Sequence, residues 1–256
     1  MGNAAVLTGR RFFMAKVRID KLLVEREMVP SRERAQALIM AGAVLVEDVP
    51  VSKSGQQVSE DANVRIKGED HPFVGRGGLK LAGALDEFGV DPKGFVCLDV
   101  GASTGGFTDC LLQRDASKVY AVDVGYGQLA WKLQSDERVV VIERQNIRHI
   151  DPAKLPEPFD LIVIDVSFIS LEIVIPAVVS FLKPGGQIIS LIKPQFEVGK
   201  ERVGKGGIVK DEDARQAAVD KVIAAAEVAG FTCAGTTDSP IAGTKGNIEF
   251  LALFRK

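Results

Sequence analysis

The sequence predicts an α/β protein, a mostly parallel, doubly wound sheet preceded by a small α+β module. Three observations carry that reading. Apolar runs too short for helices recur at 95–100, 118–123, 139–142, 159–165 and 186–192, alternating with helical stretches at 106–114, 170–182 and 211–229. One of these runs ends on Asp99 and passes directly into Gly101-Ala-Ser-Thr-Gly-Gly106, the pattern of a buried strand feeding a tight turn and a helix N-terminus. The first 70 residues lack this alternation, carry short helix and strand patterns, and close on the breaker Asp70-His71-Pro72.

Composition bounds the function classes. The 256 residues are 46% hydrophobic and 26% charged, enough for one large domain and one small one. A net charge of −2 makes no bulk case for nucleic acid, so any such case rests on where individual Lys and Arg stand. Cys97, Cys110 and Cys233 are odd in number and widely spaced, which suggests neither a disulfide framework nor a metal site. No apolar run reaches membrane-spanning length, and Arg10-Arg11 after a mild stretch is the reverse of a signal peptide, so a cytoplasmic protein without membrane insertion is expected. Met14 is a plausible second start, and residues 1–13 read as a flexible extension.

In the first module, residues 14–70, apolar positions Val17, Leu22, Leu23 and Val24 predict a helix running toward Pro30. Ser31 is a good N-cap for a second helix through Ala35, Leu38 and Ile39 to Gly42. A hairpin at 43–51 and short strands at Val58 and at 64–66 follow. On Arg18-Ile-Asp, Leu22-Leu23, Ser31-Arg32, Leu38-Ile39, Gly42 and Val44-x-Val46 this module resembles the S4 RNA-binding domain. The resemblance implies RNA contacts from Lys16, Arg18, Arg32, Arg34 and Lys53. Arginine forks near a helix N-terminus suit phosphate, although alternating Arg and Glu also fit a solvated helix face. Glu47-Asp48 stands where such domains carry Asn-Gly, so a differently shaped turn is expected.

In the second domain, residues 71–256, glycines at 75–78 lead into a helix carrying Lys80 in its first turns, an unfavourable place for a cation. The glycine loop admits several readings. A nucleophile elbow on Ser103 would need an acid and then a histidine downstream, and only His149 follows. A phosphate loop would need a lysine where Phe107 stands, and the nicotinamide spacing G-x-G-x-x-G is not met. With Asp123 ending the next strand, roughly twenty positions on, to accept hydrogen bonds from a ribose, an S-adenosylmethionine site is favoured. Asp165 and Lys193 end adjacent strand-like runs, and Glu249 lies in a last strand at 247–254, so with Lys80 four charges of alternating sign can share one rim.

Lys80, Asp165, Lys193 and Glu249 fit the Lys-Asp-Lys-Glu tetrad of FtsJ-like ribose 2′-O-methyltransferases. The motifs Arg76-Gly-Gly-Leu-Lys80, Leu98-Asp-Val-Gly-Ala-Ser-Thr-Gly-Gly106, Ile164-Asp-Val-Ser-Phe-Ile-Ser-Leu171 and Lys193-Pro-Gln-Phe-Glu197, behind an S4-like module, are similar to the TlyA family. That family is known both as haemolysins and as rRNA 2′-O-methyltransferases. The resemblance implies a Rossmann-like methyltransferase sheet and the tetrad as the catalytic set. It also implies S-adenosylmethionine on Gly101, Ala102, Ser103, Thr104, Gly105, Gly106, Phe107, Asp123, Asn146 and Asp165, with no metal. Ribosomal RNA or a ribosomal subunit is the implied partner. A non-catalytic RNA-binding assembly factor and a nicotinamide oxidoreductase are the rival readings. The haemolysin label finds no amphipathic or apolar pore segment in the sequence.

Overall fold

The computed structural model describes residues 16–29, 31–40, 42–67 and 71–256. The expectations placed on residues 1–13, Pro30 and Asp70 lie outside the described residues. The chain divides into two compact units at the junction of Pro72 and Phe73.

The first unit packs helices α1 (Ile19–Glu25) and α2 (Arg32–Met40) over short strands. Strand β1 (Lys16–Arg18) pairs antiparallel with β4 (Gln57–Ser59), while β2 (Val44–Val46) lies between β3 (Val49–Pro50) and β5 (Val64–Ile66). Its core is Ile19, Leu22, Leu23, Leu38, Ile39, Val44 and Val58. Two expectations are corrected here. The helix predicted from Val17 starts at Ile19, because residues 16–18 spend their backbone bonds on β4. The Glu47-Asp48 turn keeps the shape Asn-Gly would give: both residues are left-handed, at φ 49° and 64°, and join the paired Val46 and Val49 as a two-residue hairpin turn. That conformation costs about 1–3 kcal/mol per residue. Local bonds offset it, Glu47 accepting the Asn63 N–H at 2.7 Å and Asp48 the Arg65 Nε at 2.7 Å.

In the second unit, α3 (Gly77–Phe88) precedes β6 (Val96–Val100), α4 (Gly106–Gln113), β7 (Lys118–Val122), α5 (Trp131–Gln134) and β8 (Val139–Ile142). Then come β9 (Phe159–Ile164), α6 (Leu171–Val178), β10 (Leu182–Ile192), α7 (Pro194–Glu197), α8 (Glu212–Val228), β11 (Thr232–Asp238) and β12 (Phe250–Arg255). The seven strands lie in the order β11-β12-β10-β9-β6-β7-β8. Strands β8, β7, β6, β9 and β10 are parallel, and β12 runs against both β10 and β11.

Alternation along the strands builds three layers. Leu98, Ile162, Ile164 and Ile188 face one way, onto Leu171 and Val174 of α6 and Val222 of α8. Cys97, Leu161, Val163 and Ile189 face the other, onto Leu81 and Leu85 of α3 and Leu111 of α4. Each fully buried Leu or Ile contributes about 1.5–3 kcal/mol, so both faces are strongly held. Strand β11 was not expected, because its residues Thr-Cys-Ala-Gly-Thr-Thr-Asp form no apolar run. As the edge strand it buries little and needs none.

Two features place the site. Strand order reverses between β6 and β9, where β6 leads to β7 on one side and β9 to β10 on the other, and such a switch point opens a crevice at the carboxyl ends. The reversed β12 begins where β10 ends, since Phe250 pairs with Ile192. A residue just before β12 therefore stands at the same rim as one just after β10.

Candidate active site

The glycine loop leaves β6 at Gly101 with φ 90°, turns through Ser103 at φ 49° and reaches Gly105 at φ 96°, the residue before α4. The glycines are required by the protein's own neighbours. A side chain at Gly101 would meet the carbonyl oxygen of Asp165 at 2.4 Å, and one at Gly105 would meet Leu133 at 2.1 Å. The Cα of Gly105 thus faces Leu129 and Leu133.

Asp123, just beyond β7, secures this loop: Oδ2 accepts the Ser103 N–H at 2.8 Å and Oδ1 the Gly125 N–H at 2.6 Å. Each oxygen can accept a further hydrogen bond, and the residue lines the larger cleft described below. Beneath the loop, Asp99 is fully buried; Thr108 donates to Oδ2 at 2.6 Å and Oδ1 has no protein partner. Burial pushes this carboxyl up to about 7, the nearby Asp165 and Asp123 carboxylates adding and the Thr108 bond opposing.

Two adjoining clefts open above the strand ends. The larger, about 440 Å³, is lined by Gly101, Ser103, Asp123, Asn146, Asp165 and Phe168 among others. The smaller, about 230 Å³, is lined by Lys80, Asp165, Lys193 and Glu249, with Arg76, Ala102, Thr104, Gly106, Phe107 and Ser167. Gly101, Ser103, Asp165 and Ser167 belong to both. All four tetrad residues are therefore brought to one cleft.

Within it the charges pair. Lys193 Nζ lies 2.6 Å from Asp165 Oδ1, off the hydrogen-bonding direction, and donates to Ser167 Oγ at 3.0 Å. Lys80 pairs with Glu249, both buried. That partner answers the objection to a cation near the start of α3. Asp165 Oδ2 in turn lies 3.7 Å from where a side chain on Gly77 would begin, at the positive end of the same helix. Glu249 is seated against Gly243, where any side chain would collide with its carboxylate. Asn146 lines the larger cleft, with its side-chain oxygen taken up by the Arg148 N–H at 3.1 Å.

Residues 73–256 match the FtsJ-like methyltransferase family. The chain belongs to that family. Residues 17–64 match the S4 domain. As an FtsJ-like methyltransferase the chain is 44% identical, over 94% of its length and 90% of the relative's, to the 16S/23S rRNA (cytidine-2′-O)-methyltransferase TlyA of Mycobacterium tuberculosis. It is 41% identical to Hemolysin A of Brachyspira hyodysenteriae, over 93% of this chain and 99% of that one. A solved structure from Streptococcus thermophilus bearing a hemolysin label superposes with a TM-score of 0.74 at 42% identity, covering 95% of this chain and 89% of that one. An S-adenosylmethionine-dependent methyltransferase from Mesorhizobium loti, at 15% identity and a TM-score of 0.52 over 68% of this chain and 96% of its own, shares the fold.

The S4 domain holds the expected basic residues differently from the helix-face reading. Arg18 donates to both oxygens of Asp20 at 3.0 and 2.9 Å, Arg32 joins at 2.9 Å and Gln36 at 3.3 Å. Asp20 is wholly buried, and the Arg18 guanidinium beside it holds its carboxyl well below the usual range. Two half-exposed arginines are thereby kept side by side. Lys16 and Lys53 are exposed, and the Lys53 loop is tied to the start of α1, where the Asp20 N–H donates to the Ser54 carbonyl oxygen at 3.3 Å. Arg34 reaches the His71 carbonyl oxygen at 2.9 Å. Asp20, Arg76, Ser167 and Phe168 carry no functional signal of their own in the sequence. Each sits inside a quoted motif, but only the fold shows that Ser167 touches Lys193 and that Phe168 is 91% exposed.

Proposed function

We propose that the chain is an S-adenosylmethionine-dependent methyltransferase acting on a ribose 2′-hydroxyl of ribosomal RNA, with cytoplasmic ribosomal subunits as its partner. The carrying observation is the convergence of Lys80, Asp165, Lys193 and Glu249 on a small polar cleft that opens into a larger one built on the glycine loop.

The larger cleft fits the cofactor. The left-handed loop exposes backbone at Gly101 to Ser103, Asp123 keeps acceptors for ribose hydroxyls, and Asp99 Oδ1 remains unpaired beneath. When bound, the cofactor supplies a sulfonium methyl group. The chain's own residues do the rest. Lys193, in its uncharged form, takes the hydroxyl proton at Nζ, and Asp165 at 2.6 Å holds the ammonium that results. Lys80, anchored by Glu249, sets positive charge beside the oxygen as its proton leaves. The exposed Phe168 ring offers a stacking face for the base of the target nucleotide. Arg18 and Arg32 of the S4 domain supply phosphate contacts.

The test is incubation of separated ribosomal subunits with labelled S-adenosylmethionine and mapping of modified riboses. Label on a 2′-oxygen is the expected result; label on a base, or none on either subunit, overturns the reading. As for membrane damage, no helix among the described residues is long and apolar enough to cross a membrane.

A further inference from the structure

The motif Lys193-Pro-Gln-Phe-Glu197 ends on a residue that the chemistry above does not use. Glu197 closes α7 and is buried, 6% exposed. Its Oε2 accepts the Ser170 hydroxyl at 2.6 Å and its Oε1 the Leu171 N–H at 2.9 Å. Both donors stand at the start of α6, where unpaired N–H groups and the helix dipole favour a carboxylate. Behind it, Lys221 of α8 donates to the Glu197 carbonyl oxygen at 3.2 Å and to Ser170 Oγ at 3.4 Å, and pairs with Glu172 at 3.1 Å. The Phe196 and Phe168 rings meet with centroids 5.0 Å apart.

The segments after β9 and β10 are thus joined twice. At the cleft Lys193 touches Asp165 and Ser167; at the back Glu197 grips Ser170 and Leu171. Burial pushes the Glu197 carboxyl upward and Glu172 adds to this, while Ser170, Leu171 and Lys221 oppose it. A desolvated acid at this place costs stability that a local apolar residue would not.

We propose that Glu197 is a positioning residue: by clasping the two segments it fixes Lys193 against Asp165 and Ser167, and so acts on turnover through Lys193. The proposal rests on the role given to Lys193 above. Glutamate suits the task because it accepts two hydrogen bonds at once. Glutamine retains one such acceptor, and alanine leaves the Ser170 and Leu171 donors unsatisfied.

The test uses the full chain, ribosomal RNA substrate and single-turnover rates, with thermal unfolding as a check on folding. Glu197→Ala should lower the rate by about 10- to 100-fold, the range for a displaced reacting group, with Glu197→Gln recovering part of it. In a Lys193→Ala background, adding Glu197→Ala should change the rate by less than about twofold, because a group acting through an absent amine has nothing left to place. A wild-type rate for Glu197→Ala, or losses that multiply in the double variant as a general destabilisation would give, overturns the clasp. If Glu197→Ala does not fold, Ser170→Ala carries the same test, with a lowered rate and the same non-additivity expected. A Lys193→Ala enzyme as fast as wild type would overturn the role of Lys193 instead; a slow Lys193→Ala beside a fast Glu197→Ala overturns the clasp alone.

Discussion

Lys193 Nζ stands 2.6 Å from Asp165 Oδ1, and the two residues follow adjacent parallel strands whose last paired positions are Ser190 and Ile164. The sheet therefore sets where the two chain segments leave their strands, and the segments that follow place the side chains. An amine held this way needs no closing loop to meet its carboxylate partner.

If Lys193 removes the hydroxyl proton, Lys193→Arg should fail about as badly as Lys193→Ala, because a guanidinium keeps its proton at any accessible pH. General-base catalysis contributes about 10² to 10⁴-fold, and losses of that order are expected in single-turnover methylation. Cofactor affinity should stay within a few-fold. An arginine variant keeping more than about a tenth of the wild-type rate would reduce the amine to an electrostatic clamp.

Asp123→Ala should weaken S-adenosylhomocysteine binding by roughly 1–3 kcal/mol, the loss of a paired acceptor. The same change frees the Ser103 and Gly125 N–H groups, so exchange at these amides should rise even without ligand. Calorimetry and hydrogen exchange together read both effects. Unchanged affinity in the variant would move the cofactor away from Asp123.

Asp20 gives the S4 domain a signed pH dependence. Its folded carboxyl is depressed, chiefly by the Arg18 bond, so its stabilisation is complete above the unfolded value near ~3.9 and is lost as pH falls below it. Asp20→Asn should lower the exchange protection of α1 amides at pH 7, and the gap from wild type should narrow toward pH 3. RNA binding by the variant should also weaken, since Arg18 and Arg32 lose the carboxylate that holds them together. A gap that does not change with pH would contradict the pairing.

Asp99 has the opposite sign. With its folded pKa raised to about 7, the folded state holds the proton more tightly than the unfolded chain, so stability falls as pH climbs from about 4 to 7 and is level above. Asp99→Asn removes that loss while keeping an acceptor for Thr108. Denaturant unfolding at pH 5, 7 and 8.5 should show the asparagine variant gaining on wild type between the first two points and holding its lead at the third.

Most of the second unit could be read from its chain, because buried parallel strands are short apolar runs: β8 spans the expected 139–142, and Asp165 and Lys193 stand just past β9 and β10. The edge strand β11 escaped, since a half-exposed strand of Thr, Ala and Gly carries no such signature. The reversed β12 could not be inferred from local pattern either, and it alone explains how Glu249 reaches Lys80. At Gly101 and Gly105 the missing side chains also leave room for the Asp165 carbonyl and for Leu133, contacts invisible without the fold. Ser167, Glu197 and Asp20 carry no signal in the sequence, because a hydrogen-bonding role depends on a distant partner that sequence spacing does not reveal.

Lys80 and Glu249 are 169 positions apart and yet paired in the buried floor of the cleft. One precedes the first strand of the seven-stranded sheet in the chain, and the other stands just before the last, which lies between β11 and β10. Contacts so distant in sequence close late, because the entropy of bringing their ends together is recovered only when the intervening structure exists. On the proposed chemistry this ties activity to completion: a chain with only β6 to β10 paired would own the glycine loop, Asp165 and Lys193, and would lack the partner that seats Lys80. The Lys80–Glu249 pair is thus a mark of the finished sheet.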